Sequence, residues 1–152
     1  MIPLSGRAAC LGGLLLIGLT GQAQGDACKP TVGVPFGNEY KRVVRNDARL
    51  GSDLVVRGQV LSESDCQPVR GARVEYWQAG RDGRYHDRLR AYQTTDAGGR
   101  FEFRTEWPGL PPPHIHFRID APGHATLVSI WQQTAQDRRP DALTLRFVLE
   151  RR

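Results

Sequence analysis

The chain holds only three cysteines in 152 residues, and no two of them are closely spaced. That excludes a site built on paired thiolates, such as a structural zinc ribbon. No apolar run reaches the length of a membrane-spanning helix, so no stable membrane insertion is expected. Blocks of like charge are missing as well. The formal net charge is +5, but the arginines lie among acidic residues on most segments, with no long basic run and no alternating aromatic and basic platform. A solvated basic surface is the reading, and no nucleic-acid partner is expected. There is no internal repeat, no low-complexity tract and no convincing helical period beyond the N-terminal region. These absences leave one small domain with room for a continuous core.

What is present begins with Arg7, an apolar stretch from Leu11 to Leu19, and small and polar residues through Ala23-Gln24-Gly25 to Asp26. This is the order of a secretory signal peptide. The expected organisation is a signal peptide over 1–25, an N-terminal arm over 26–49 that wraps the fold, and a domain over 50–152, in an exported chain that is periplasmic or secreted. Cleavage would remove Cys10 and leave Cys28 and Cys66. An even pair in an oxidising compartment predicts a disulfide.

From Leu50 onward, short segments of strand type are separated by turn chemistry at the spacing of a β-sandwich or barrel. Strands are expected at 54–61, 73–78, 100–105, 114–119, about 126–131 and 143–149. Turn signals stand at Asp82-Gly83 and Asp96-Ala97-Gly98-Gly99. Phe101 and Phe103 share a face of their strand and are assigned to the core.

The chemistry-bearing residues are few. In His114-Ile115-His116 the two imidazoles project from one face of a strand while Ile115 points the other way. Such a pair suits two nitrogen ligands on one ion, and it also occurs at pores, edges and interfaces. Pro111-Pro112-Pro113 just before it is expected to be extended and to stiffen the approach to His114. Tyr85 follows the Asp82-Gly83 turn, where a side chain is held at the rim of a sandwich. Arg81, Arg84, Arg88 and Arg90 surround it and form a candidate field for steering anionic substrates. His86 is expected to face away from Tyr85. His124, between Gly123 and Ala125, reads as loop surface, and Trp107 and Trp131 read as core or cavity lining able to stack on an aromatic ring.

Taken in order, Tyr76-Trp77-Gln78, Gly83-Arg84-Tyr85, Thr95-Asp96-Ala97-Gly98-Gly99, Phe101-Glu102-Phe103, Pro108-Gly109 and His114-Ile115-His116-Phe117 resemble the intradiol ring-cleavage dioxygenases over roughly residues 54–131. The resemblance implies an all-β fold, a single prealbumin-like β-sandwich with an irregular N-terminal arm. It implies a non-haem Fe(III) cofactor held by Tyr85, His114 and His116, which are also the catalytic residues. The partners it implies are a small aromatic diol and O2, the ring opening to a dicarboxylic acid. Arg84, Trp107 and Trp131 are the candidate substrate-binding residues.

The chain departs from the family in three places. Pro108-Gly109 is followed by Leu110 and three prolines where a second iron-binding tyrosine is usual. The arginine common before the histidine pair is absent, and the next strand, read as 126–131, offers no equivalent of the family's glutamine. Tyr92, Tyr40 and Glu106 are candidates for a replacement ligand. The alternative function is a catalytically inactive prealbumin-like sandwich that binds a metal, a small ligand or a protein partner.

Overall fold

The computed structural model describes residues 28–35, 39–43 and 45–152. The expected signal peptide, Cys10 and the first residues of the expected arm lie outside the described residues. Among those described there are no helices and eight strands: β1 Arg49–Leu50, β2 Leu54–Ser62, β3 Arg73–Ala79, β4 Tyr85–Thr94, β5 Arg100–Thr105, β6 His114–Asp120, β7 Leu127–Gln132 and β8 Ala142–Leu149. They form two four-stranded sheets, ordered β1-β5-β2-β8 and β4-β3-β6-β7.

The inner faces meet in one core, and the alternation in sequence shows why. β5 reads exposed and buried in strict turn, with Phe101 and Phe103 inward. On β6, Ile115, Phe117 and Ile119 point the same way and are buried to within 1% exposure. Tyr76 stacks on Phe103 with ring centroids 3.7 Å apart, and Phe117 meets Phe147 at 5.2 Å. Gln78 bridges the sheets without an unmet polar group, donating from Nε2 to the Glu106 carbonyl at 2.8 Å and accepting from Thr105 at 3.0 Å.

β3 breaks the alternation, being buried on both faces from Val74 to Ala79. Its outer face is covered by residues 39–43 and 45–46. Tyr40 packs edge-on against Trp77 at 5.3 Å, Tyr40 donates to Glu75 at 3.0 Å, Arg73 donates to the Val43 carbonyl, and the Tyr92 amide donates to the Arg45 carbonyl at 2.9 Å. Cys28 is disulfide-bonded to Cys66 with Cα atoms 5.5 Å apart, tying the start of the described chain to the β2–β3 connection. Two features differ from the sequence pattern. β4 is a strand beyond those expected from the sequence; it carries the charged run His86-Asp87-Arg88 and is the edge of its sheet, where charge is tolerated and discourages further pairing. The proline tract bends over 110–112 instead of running extended throughout, and its Pro111–Pro112 peptide is cis.

Candidate metal centre

On β6 the period of two that buries Ile115 places His114 and His116 on the outer face of the sheet. β3 lies alongside with Trp77 opposite His116. On the other side of β3, pairing with β4 is regular up to Trp77 opposite Arg90 and resumes at Ala79 opposite Tyr85, so β4 carries extra residues in a bulge. The bulge returns Tyr85 to the outer face at the strand end, as bulges beside functional sites commonly re-aim a side chain. The turn before it depends on Gly83, whose φ of +75° favours glycine. The Gly80 carbonyl accepts from the amides of both Gly83 and Gly109, at 2.9 and 3.0 Å. Gly109 comes so close that a Cβ there would lie 2.4 Å from the carbonyl oxygens of Gly80 and Arg81. This contact locks the loop before the proline tract to the turn before Tyr85.

The result is a cluster of three donor atoms. The Tyr85 hydroxyl lies 3.0 Å from Nε2 of His114 and 3.0 Å from Nε2 of His116. His114 Nδ1 is 2.7 Å from the Pro112 carbonyl, which can only accept, so Nδ1 carries the proton and Nε2 presents its lone pair to the cluster. His116 is buried, and the Trp77 indole stacks on it at 5.0 Å and 7°. Burial, with smaller contributions from His114 and Arg90, lowers the His116 pKa to about 4, so its ring is neutral near pH 7. Burial, reinforced by Glu39 and opposed by Arg90, raises the Tyr85 pKa. The Arg90 guanidinium stands 5.7 Å from the Tyr85 ring centroid.

These residues fit a metal ion. Donor atoms 3.0 Å apart are spaced like adjacent ligands of a first-row transition ion, since bonds of about 2.1 Å at near right angles leave ligand atoms about 3 Å apart. One phenol oxygen with two imidazole nitrogens is a donor set suited to a hard trivalent cation. Among the described residues no group of three or more His, Cys, Asp and Glu side chains is placed to hold a metal, so the centre depends on the tyrosine.

Other candidates lie elsewhere. Tyr40 is committed to Glu75, Tyr92 lies under the Arg73 guanidinium at 3.5 Å, and Glu106 receives Arg88 at 2.7 Å and the Arg81 amide at 3.0 Å. Arg84 is exposed in the turn before Tyr85. Trp107 and Trp131 meet each other edge-on at 6.2 Å, and Trp131 is in register with Ile115, on the sheet face opposite the imidazoles. The arginine field is largely neutralised, because Arg81 is paired with Asp53 and Arg88 with Glu106. His86 does turn to Asp82, at 2.9 Å. His124 is buried, contrary to the surface reading, because its ring contacts the Pro122 carbonyl at 2.9 Å and the Ser62 hydroxyl at 3.0 Å. The next strand extends one residue beyond the expected 126–131. β7 runs to Gln132, which pairs with His114 and shares its face. The signal was the Trp131-Gln132 boundary, which strand pattern alone does not locate.

A family model described as Dioxygenase matches residues 33–111, just over half the chain, a span that includes Tyr85 and ends before His114. The protocatechuate 3,4-dioxygenase beta chain of Burkholderia cepacia is 35% identical over 102 residues, covering 52% of this chain and 43% of that protein. The 6-chlorohydroxyquinol 1,2-dioxygenase of Cupriavidus pinatubonensis is 32% identical over 145 residues, covering 71% of this chain and 51% of that protein. The chain thus spans about half the length of the curated relatives it matches. Among solved structures, the dioxygenase domain of a dioxygenase and carbohydrate-binding protein fusion from Streptomyces sp. SirexAA-E superposes with a TM-score of 0.72 at 26% identity, covering 82% of this chain and all of that domain. With the same sandwich, and with sequence similarity running through the turn that carries Tyr85, this chain belongs to the intradiol ring-cleavage dioxygenase family.

Proposed function

We propose that the protein is an exported non-haem Fe(III) dioxygenase that opens a catechol-type aromatic diol with O2, and that Tyr85, His114 and His116 hold the ion. The observation that carries this reading is the convergence of one phenol oxygen and two imidazole nitrogens at 3.0 Å on one sheet face. Ferric iron, when bound, supplies the Lewis acidity that draws charge from a chelating diolate and readies the ring for O2. The chain's own residues prepare for it. The Pro112 carbonyl keeps the His114 proton on Nδ1 and its lone pair on the cluster. Burial and the Trp77 stack keep His116 uncharged and its ring oriented. Leu110 and the proline tract stand where a second tyrosine is usual, so three protein donors leave room for both oxygens of a diol. The substrate class follows the relatives, whose names specify protocatechuate, hydroxyquinol and catechol. Export is supported by the Cys28–Cys66 bond, which suits an oxidising compartment.

One observation favours the binding-module alternative. The cluster can satisfy its own hydrogen bonds without metal, Tyr85 donating to His114 Nε2 and His116 Nε2–H donating to the Tyr85 oxygen. Reconstitution of the full chain with ferric iron separates the two readings. A visible tyrosinate-to-iron band, lost in Tyr85→Phe together with tight iron binding, supports the ligand set, and oxygen uptake with catechol supports the enzyme. Iron and diol binding without oxygen consumption would leave a binding module, and a band retained in Tyr85→Phe would remove Tyr85 from the site.

A further inference from the structure

Between the residues that cover β3 and the edge strand β4 lies a cavity of about 190 Å³ lined by Lys41, Arg42, Val43, Arg45, Asp87 and Arg90. Four of these side chains are cationic and one is anionic. Arg45 also has Asp47 as a partner, so four cations face two carboxylates. Asp87 is stretched between two of them, its Oδ1 lying 3.4 Å from Lys41 Nζ and 3.5 Å from Arg90 Nε. Both separations exceed the roughly 2.7–2.9 Å of a good charge-assisted hydrogen bond.

Arg90 is the unusual member. Its side chain is only 5% exposed, whereas that of Asp87 is 80% exposed. One terminal nitrogen donates to the Glu39 carbonyl, but the buried Nε–H has no hydrogen-bond partner. A buried charged donor left unmet in this way carries its full desolvation penalty, so an acceptor is expected to reach it. The nearest carboxylate oxygen, that of Asp87, belongs to the cavity lining, which marks the cavity as the side from which an acceptor arrives.

We propose that this cavity binds a compact dianion bearing oxygen acceptors, with the Arg90 Nε–H as anchoring donor and Lys41, Arg42 and Arg45 supplying the field. Several cations around one small concave space favour a doubly charged ligand over a monovalent one, because the walls focus the field into it. Two sources share this chemistry: inorganic phosphate, and a dicarboxylate of the kind that ring opening of a diol yields. The second source rests on the proposed dioxygenase function, and the first does not. Either occupant would sit beside the metal centre, because the same guanidinium lies 5.7 Å from the Tyr85 ring centroid.

Calorimetric titration of the full chain with phosphate, with muconate and with chloride at matched ionic strength tests the proposal. Saturable binding of phosphate or muconate, with none of chloride, is expected. Arg90→Met should weaken it about tenfold or more, and Arg42→Ser should weaken it less. Asp87→Asn should tighten it, because the competing carboxylate is removed. The last two substitutions are at exposed positions and keep the test decisive even if Arg90→Met unfolds, which thermal melts would reveal. Binding of phosphate alone identifies a free inorganic ion as the occupant, and binding of muconate alone identifies a product subsite. Absence of saturable dianion binding in both the wild type and Asp87→Asn would overturn the proposal, as would binding indifferent to both arginine substitutions. Dianion binding by a protein that takes up no iron would sink the dioxygenase reading and leave this site standing.

Discussion

Ile115 and its two histidine neighbours show how far a single side chain can be read from sequence. The period of two on β6 is a property of the backbone, so the separation of His114 and His116 from Ile115 followed from spacing alone. Ile115→Ala should cost roughly 2–5 kcal/mol by leaving a cavity in a site now 1% exposed. His114→Ala should leave the unfolding transition nearly unchanged and weaken metal binding instead. Denaturant unfolding and iron titration of the two variants should give opposite profiles. Tyr85 was legible as a candidate only in the company of the other motifs, because nothing local sets the direction of its hydroxyl. The Pro112 carbonyl as the acceptor that orients His114, and the Trp77 stack on His116, were not legible at all. The first is a local contact two residues apart that depends on how the proline tract bends, and the second joins β6 to β3 across tens of residues that no spacing encodes.

Strands with a clean alternation or an apolar run were found within a residue or two of their observed ends. β4 is not legible in the pattern because an edge strand need not alternate, and its first half carries His86, partly buried, and Asp87 and Arg88, exposed. The bulge opposite Trp77–Ala79 was equally silent, and it brings Tyr85 to the histidine face. Close backbone approaches hold these elements in place. Gly58 on β2 lies opposite Phe101 on β5, and a Cβ there would come within 2.2 Å of the ring. Gly58→Ala should therefore destabilise the domain by about 1–3 kcal/mol, measurable as a lower denaturant midpoint. Gly109→Ala acts on the site as well, since it separates the loop before the proline tract from the turn before Tyr85. Weaker iron retention with a smaller loss of global stability is the expected outcome, checked by metal content after dialysis alongside thermal unfolding.

Cys28 and Cys66 close a loop of sequence separation 38, and restricting the unfolded chain to that extent contributes about 4 kcal/mol. Replacing both by Ser should lower the unfolding free energy by that order, read from denaturant curves. Acid should act on the metal-free protein in two stages. His116 has its pKa lowered to about 4 by burial, against about 6.5 when unfolded. The unfolded chain therefore takes up the proton first, and stability, full above about pH 6.5, falls by roughly 3 kcal/mol as the pH drops to 4. Asp47 and Glu106 have lowered pKa values, through the Arg49 amide and Arg45 for the first and through Arg88 for the second. Their contributions are present above their unfolded values near 4 and are lost below them. Unfolding midpoints against pH should show both stages, and His116→Gln should remove the upper one alone. Sequence by itself determined the all-β class, most strand positions, the shared face of His114 and His116 and the pairing of Cys28 with Cys66, because all of these follow from period, turn chemistry and counting. Tertiary structure alone decided that Tyr85 meets the histidines, that Arg81 and Arg88 are neutralised by Asp53 and Glu106, and that Arg90 is buried with an unmet donor. Those outcomes depend on which strand lies beside which and on what covers the outer face of the sheet, and pairing across tens of residues leaves no trace in local pattern.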